Sequence, residues 1–196
     1  MQTANPAAAA PRFGAISDTV PARILLAILA SLFVALSAHA SVPLPFTPVP
    51  LTFSDLAVLL VGLALGPTTA FAALTLYLLE GAVGLPVFSP WVPVHGIARF
   101  YSQTGGYLLA YPFAAALASG LTRTLARVTS RFLAALTACT LGSALIMLSG
   151  TAWLAFRFHL APAAALTLGA APFLYGQVIK VLCAAGIFAS FRRRSA

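Results

Sequence analysis

The sequence predicts an all-α integral membrane protein: six transmembrane helices, irregular loops gathered on the outer face, and both termini cytoplasmic. Composition makes the first argument. Apolar residues form 61% of the 196-residue chain and charged residues 7%, whereas a soluble domain is about half apolar and about a quarter charged. That inventory cannot build a water-facing surface. The second argument is distribution. The net charge of +8 comes from basic residues that flank the apolar runs, rather than interleaving with aromatic residues that could stack on bases. This placement fits the positive-inside bias of membrane proteins and excludes a nucleic-acid partner.

A helix crossing the hydrocarbon core needs about 20 apolar residues, fewer where the bilayer thins. Residues 1–21 are Ala/Pro-rich and lack the ordered parts of a cleaved signal peptide, so they are expected to form a loose cytoplasmic tail. The first run is Ala22 to Ala40, followed by a segment too rich in proline for a helix, Ser41 to Pro50. The second run covers Phe53 to Leu65 and stops at Gly66-Pro67. The third covers Thr68 to Glu80 and stops at Gly81. Each of these two is about 20 Å long as a helix. An irregular stretch from Ala82 to Gly105, too long for an idle connection, leads to the fourth run, Tyr107 to Leu121. Arg123, Arg127 and Arg131 form a basic connector before the fifth run, Phe132 to Phe156. A short Pro162–Leu168 segment precedes the sixth, Pro172 to Phe191, so the membrane domain spans 22–191. Residues 192–196 are a basic cytoplasmic end.

Six crossings put both termini on the side that collects Arg12, Arg23, Arg123, Arg127, Arg131 and Arg192 to Arg194, leaving Arg99 and Arg157 opposite. The positive-inside bias makes the first side cytoplasmic. The proline-rich loop, the 82–105 loop and the 157–171 connector then face outward together, as a lid over an outward-facing site.

Lys180 is the most informative residue. A lysine near the centre of a membrane helix costs about 2.5–3.5 kcal/mol on insertion scales, so it should face a cavity or a partner. Either it pairs structurally, or its ammonium meets an anionic substrate group. Gln177, three residues earlier, shares its helical face, and its amide can both donate and accept toward an amide- or urea-like edge. Glu80 ends the third run, either as a solvated helix end or as the counter-charge of Lys180. Asp55 is expected at the start of the second helix, where a carboxylate suits the helix dipole. Thr104-Gly105-Gly106-Tyr107 opens the fourth helix; paired glycines there allow close backbone approach and leave amides free. Phe100 and Tyr107 are pocket walls or interface anchors. His95 and Arg99 lie in the loop before them and are within reach of the site or solvated. Ala27, Ser31 and Ala35, four apart, form a small-residue stripe for close helix approach, inside the protein or against a partner. Cys139 and Cys183 are read as small core residues. No nucleophile–base pair, phosphate loop or metal-ligand cluster occurs, which argues against an ATPase or a metal-dependent enzyme, and no cofactor is expected.

Five motifs together point to a family. Val42-Pro-Leu-Pro-Phe-Thr-Pro-Val-Pro-Leu-Thr52 resembles the PLPFTPVPxT opening of BioY proteins, and Val61-Gly-Leu-Ala-Leu-Gly-Pro67 their GxxLGP. Tyr77-Leu-Leu-Glu-Gly-Ala-Val-Gly-Leu-Pro-Val-Phe88 is similar to YLxxGxxGLPVF, Thr104-Gly-Gly-Tyr-Leu108 to GPTGGYL, and Pro172-Phe-Leu-Tyr-Gly-Gln-Val-Ile-Lys180 to PFxxGDxxK. They occur in family order. The resemblance implies a six-helix subunit of the cell membrane that binds biotin from outside. It also implies association with a transmembrane coupling protein and paired cytoplasmic ATPases of an energy-coupling-factor transporter. The site would draw on the long external loop, the Gly-Gly-Tyr segment and the last helix, and the stripe Ala27, Ser31, Ala35 would meet the coupling protein. Two departures stand out: Gln177 replaces the family aspartate, and Ser102-Gln103 replaces Gly-Pro. Two rival classes remain at this point: an intramembrane enzyme acting on lipid through Lys180 and Glu80, and a structural or assembly subunit.

Overall fold

Prolines and glycines set the helix ends in the computed structural model, which describes residues 19–191. The expectations for the tail before Thr19 and for 192–196 lie outside the described residues. Helix α1 (Val20–His39) carries Pro21 in its first turn, where a missing N–H does no harm. It leads into a minimal hairpin, β1 (Ser41–Val42) paired antiparallel with β2 (Leu51–Thr52), which closes the proline-rich loop on itself. Helix α2 (Ser54–Ala64) follows, and α3 (Pro67–Ala82) again starts on proline. The α3 terminus differs from the expected stop at Gly81. Leu85 N–H reaches the Glu80 carbonyl and Gly84 N–H the Gly81 carbonyl, with Gly84 at φ 98°. That is a Schellman closure, which puts the glycine requirement at Gly84. Gly81 has a different task, since a Cβ there would overlap the Phe88 ring.

Helix α4 (Gly105–Leu125) runs unbroken through Pro112. Helix α5 (Arg131–Phe158) is capped by Ser130, whose hydroxyl accepts from Leu133 N–H, and it ends where His159 turns left-handed at φ 53°. The last apolar region is divided: α6 (Pro162–Gly169), a 3-10 turn at Ala171–Phe173, then α7 (Leu174–Ser190). Among the described residues three stretches are long and apolar enough to cross a bilayer alone, Val20–His39, Arg131–Phe158 and Pro162–Ser190. The second run falls short because it stops at Gly66-Pro67 after 11 helical residues, about 17 Å.

Helix α4 is the hub. It packs along α5 over most of its length and against α2 and α3, while α1 lies on α3 and α7 on α2 and α5. Close approach is built into the α4–α5 seam: a Cβ on Gly106 would overlap Trp153, and one on Gly150 would overlap the Tyr107 ring. Large apolar side chains point outward instead, including Ile24, Leu25, Leu36, Val178 and Ile179. A water-facing surface would not carry such a belt, and the intrahelical bonding behind it suits lipid. Cys139 is buried in the α2–α4–α5–α7 cluster as expected, but Cys183 faces outward.

The bundle has two unlike ends. At one end, the Gly66-Pro67 turn lies beneath the Arg123 guanidinium and Arg131 stacks over the Phe188 ring at 4.8 Å. At the other, the three irregular segments are tied together. Thr47 hydroxyl donates to the Leu168 carbonyl at 2.6 Å, Gln103 amide to the Pro48 carbonyl at 3.2 Å, and Trp91 indole N–H to the Ser41 carbonyl at 2.9 Å. The grouping expected from the order of runs is therefore present as one hydrogen-bonded roof.

Candidate functional site

A cleft lies beneath this roof. Val49, Pro50 and Thr52 come from the hairpin loop, Ser89 and Arg99 from the long loop, Tyr107, Leu108 and Tyr111 from α4, and Phe173 and Lys180 from the last region.

The floor is a buried polar cluster. Lys180 Nζ lies 2.9 Å from Asp55 Oδ2, and both side chains are at least nine-tenths buried. Asp55 Oδ2 also accepts from Gln177 Nε2 at 2.7 Å, and Asp55 Oδ1 accepts from the Tyr111 hydroxyl at 2.9 Å. Three donors on one carboxylate are what a buried charge needs. Ser143 hydroxyl donates in turn to Gln177 Oε1 at 3.1 Å, and Gln177 Nε2 faces Met147 Sδ at 3.8 Å. The Gln177 amide is thus spent on its neighbours.

At the loop side the chemistry differs. Arg99 is buried, held by the carbonyls of Val92 at 2.6 Å and Ser89 at 2.9 Å, with its guanidinium 5.7 Å from the Phe88 ring centre. Among the described residues it forms no ion pair, and its Nε has no hydrogen-bond partner. Burial pushes its pKa down from the ordinary guanidinium value. The Tyr77 hydroxyl lines the same cleft and is likewise buried without a partner. A cation so placed is a ready receiver for an anion.

Several expected site residues lie elsewhere. Lys180, Thr104 and Tyr107 line the cleft, with Tyr107 fixed by its hydroxyl donating to the Gly169 carbonyl at 2.7 Å. Gln177 instead faces a second, apolar groove between α5 and α7, with Leu136, Leu174 and Val181. Gly105 and Gly106 are close-packing positions, where an added Cβ would meet the Phe100 carbonyl and Trp153. Phe100 packs on the core edge-to-face with Phe88, centroids 5.9 Å apart, and His95 is exposed outside the cleft. The pairing of Glu80 with Lys180 is corrected. Glu80 Oε2 accepts from the Ser31 hydroxyl, because Glu80 sits on the α3 face that meets α1. The stripe is corrected with it: Ser31 has no exposed surface and Ala35 almost none, because Ala27, Ser31 and Ala35 face into the bundle toward α3. Asp55 has a role that the sequence argument did not give it. It starts α2 as expected, yet it is the counter-charge of Lys180.

Comparison with known proteins bears on this arrangement. The family model described as BioY family matches residues 9–196. The chain belongs to the BioY family. Among its relatives, a probable biotin transporter BioY of Pyrococcus horikoshii is 38% identical over 80% of this chain and 89% of its own. The biotin transporter BioY2 of Lactococcus lactis is 35% identical over 81% and 82%, and the BioY of Rhizobium etli 33% over 83% and 88%. In three dimensions the chain is similar to the crystal structure of an S-component for biotin from an ECF-type ABC transporter, with TM-score 0.78 and 22% identity over 89% of this chain and 92% of that one. That likeness shows a shared fold.

Proposed function

We propose that this BioY chain captures biotin and serves as the substrate-binding subunit of an energy-coupling-factor transporter. The carrying observation is the cleft with two unlike polar poles, roofed by segments that carry the BioY motifs. Biotin has a carboxylate at one end, a cyclic urea at the other and an apolar body between. Lys180 is neutralised by Asp55, so its positive charge is already answered. Arg99 is not, and it takes the carboxylate, with the Tyr77 hydroxyl beside it. The urea goes to the Asp55–Lys180 floor, and Val49, Leu108 and Phe173 hold the body between them.

Six crossings with both termini cytoplasmic complete the reading, supported by the basic end of the bundle lying opposite the roof. In the cell membrane the subunit works with a transmembrane coupling protein and cytoplasmic ATPases, which supply the energy its own residues do not. The outer face of α1, rather than the small-residue stripe, is the contact for the coupling protein. Calorimetric titration of the purified chain in detergent tests capture: biotin binds at micromolar concentration or below, and absence of binding overturns the reading.

A further inference from the structure

The floor of the cleft carries an acid that the family motif places elsewhere. In the motif an aspartate stands three residues before the lysine; here that position is Gln177, and the carboxylate beside Lys180 arrives from α2. We infer that Asp55 is the specificity-determining acceptor for the ligand's urea N–H groups, and that Gln177 is a positioning residue. This rests on the reading of the cleft as the biotin site.

The argument is one of hydrogen-bonding capacity. A carboxylate has about four acceptor sites. Three are used, by Tyr111, Gln177 and Lys180, which leaves one on a residue that lines the cleft. Gln177 has no such reserve toward the cleft. Its Nε2 is taken by Asp55 and Met147, its Oε1 accepts from Ser143, and it lines the apolar groove between α5 and α7. The ligand therefore meets Asp55 and Lys180 side by side: an acceptor for N–H and a donor for the urea carbonyl. The amide of Gln177 fixes Asp55 from behind, as the Tyr111 hydroxyl does from α4. A site that pairs a buried polar group with a ligand N–H strongly rejects an analogue that lacks it.

The test is a titration of the full chain in detergent with biotin and with the two biotins methylated on one ureido nitrogen or the other, repeated on Asp55→Asn. For the wild type, at least one methylated isomer binds at least about tenfold more weakly than biotin, a difference of ~1.4 kcal/mol. In Asp55→Asn, biotin itself weakens by a similar factor, and the penalty for methylation shrinks to less than about threefold. Equal wild-type affinity for all three ligands overturns the inference without any variant having to fold. So does a methylation penalty that is unchanged in Asp55→Asn. A wild type that binds no biotin at all instead overturns the capture reading on which the inference stands.

Discussion

Replacing Lys180 by Met separates the stability of the buried pair from its role in binding. Met nearly matches the length of lysine and removes only the ammonium, leaving Asp55 charged and buried. Removing one member of a buried ion pair costs about 3–5 kcal/mol. Asp55 retains Tyr111 at 2.9 Å and Gln177 at 2.7 Å, and hydrogen bonds to a charged acceptor contribute about 1.5–3 kcal/mol each. The effect therefore falls at the lower end, ~3 kcal/mol. For a chain of this size each kcal/mol moves the midpoint by about 2–4 °C, so the apparent Tm in detergent drops by roughly 6–12 °C. Adding Asp55→Asn removes the orphaned charge, and the double variant recovers at least half of that loss while binding biotin poorly. An unchanged Tm in Lys180→Met, or a double variant no more stable than the single, refutes the pairing.

The remaining expectations follow from particular contacts. Gln177→Asp, which on the motif alone restores a missing acid, places a second carboxylate where Gln177 now donates to Asp55 at 2.7 Å. Like charges so close cannot both ionise comfortably, so biotin affinity falls rather than rises in calorimetry, and adding Asp55→Asn relieves it. Arg99→Gln weakens biotin at least about tenfold but leaves biotinamide, which has no carboxylate, nearly unaffected; equal losses for both ligands remove Arg99 from the anion end. Ser31→Leu forces a branched side chain into a fully buried position against α3 and costs about 1–3 kcal/mol by overpacking, read as a lowered Tm of the isolated subunit. Gly106→Ala acts the same way on the α4–α5 seam, because a Cβ there meets Trp153 and lies 2.7 Å from the Ser149 carbonyl.

Helix positions were legible because they rest on local signals: Pro21, Pro67 and Pro162 start helices, and apolar runs fill them. The roof was legible too, since proline excludes helix over Ser41 to Pro50 and loops between successive crossings alternate sides. Pairings across the bundle were not. Lys180 and Asp55 are 125 residues apart, and nothing in the spacing says that the start of α2 lies level with the middle of α7. The packing role of the glycine pair was equally hidden: nothing local says that Trp153 closes on Gly106. One signal in the sequence was nevertheless available. The chain has three acids, Asp18, Asp55 and Glu80, and a lysine inside an apolar run must find one of them or a cavity. Asp18 precedes the first run. Glu80 ends a run beside glycines that mark the protein's rim, where its charge can be met by a hydroxyl such as that of Ser31. Asp55 follows a proline-rich loop, and in the structure Val49, Pro50 and Thr52 of that loop line the cleft with Asp55 buried beside them. A carboxylate at that place is below the rim. Depth, more than dipole position, identifies it as the partner of Lys180.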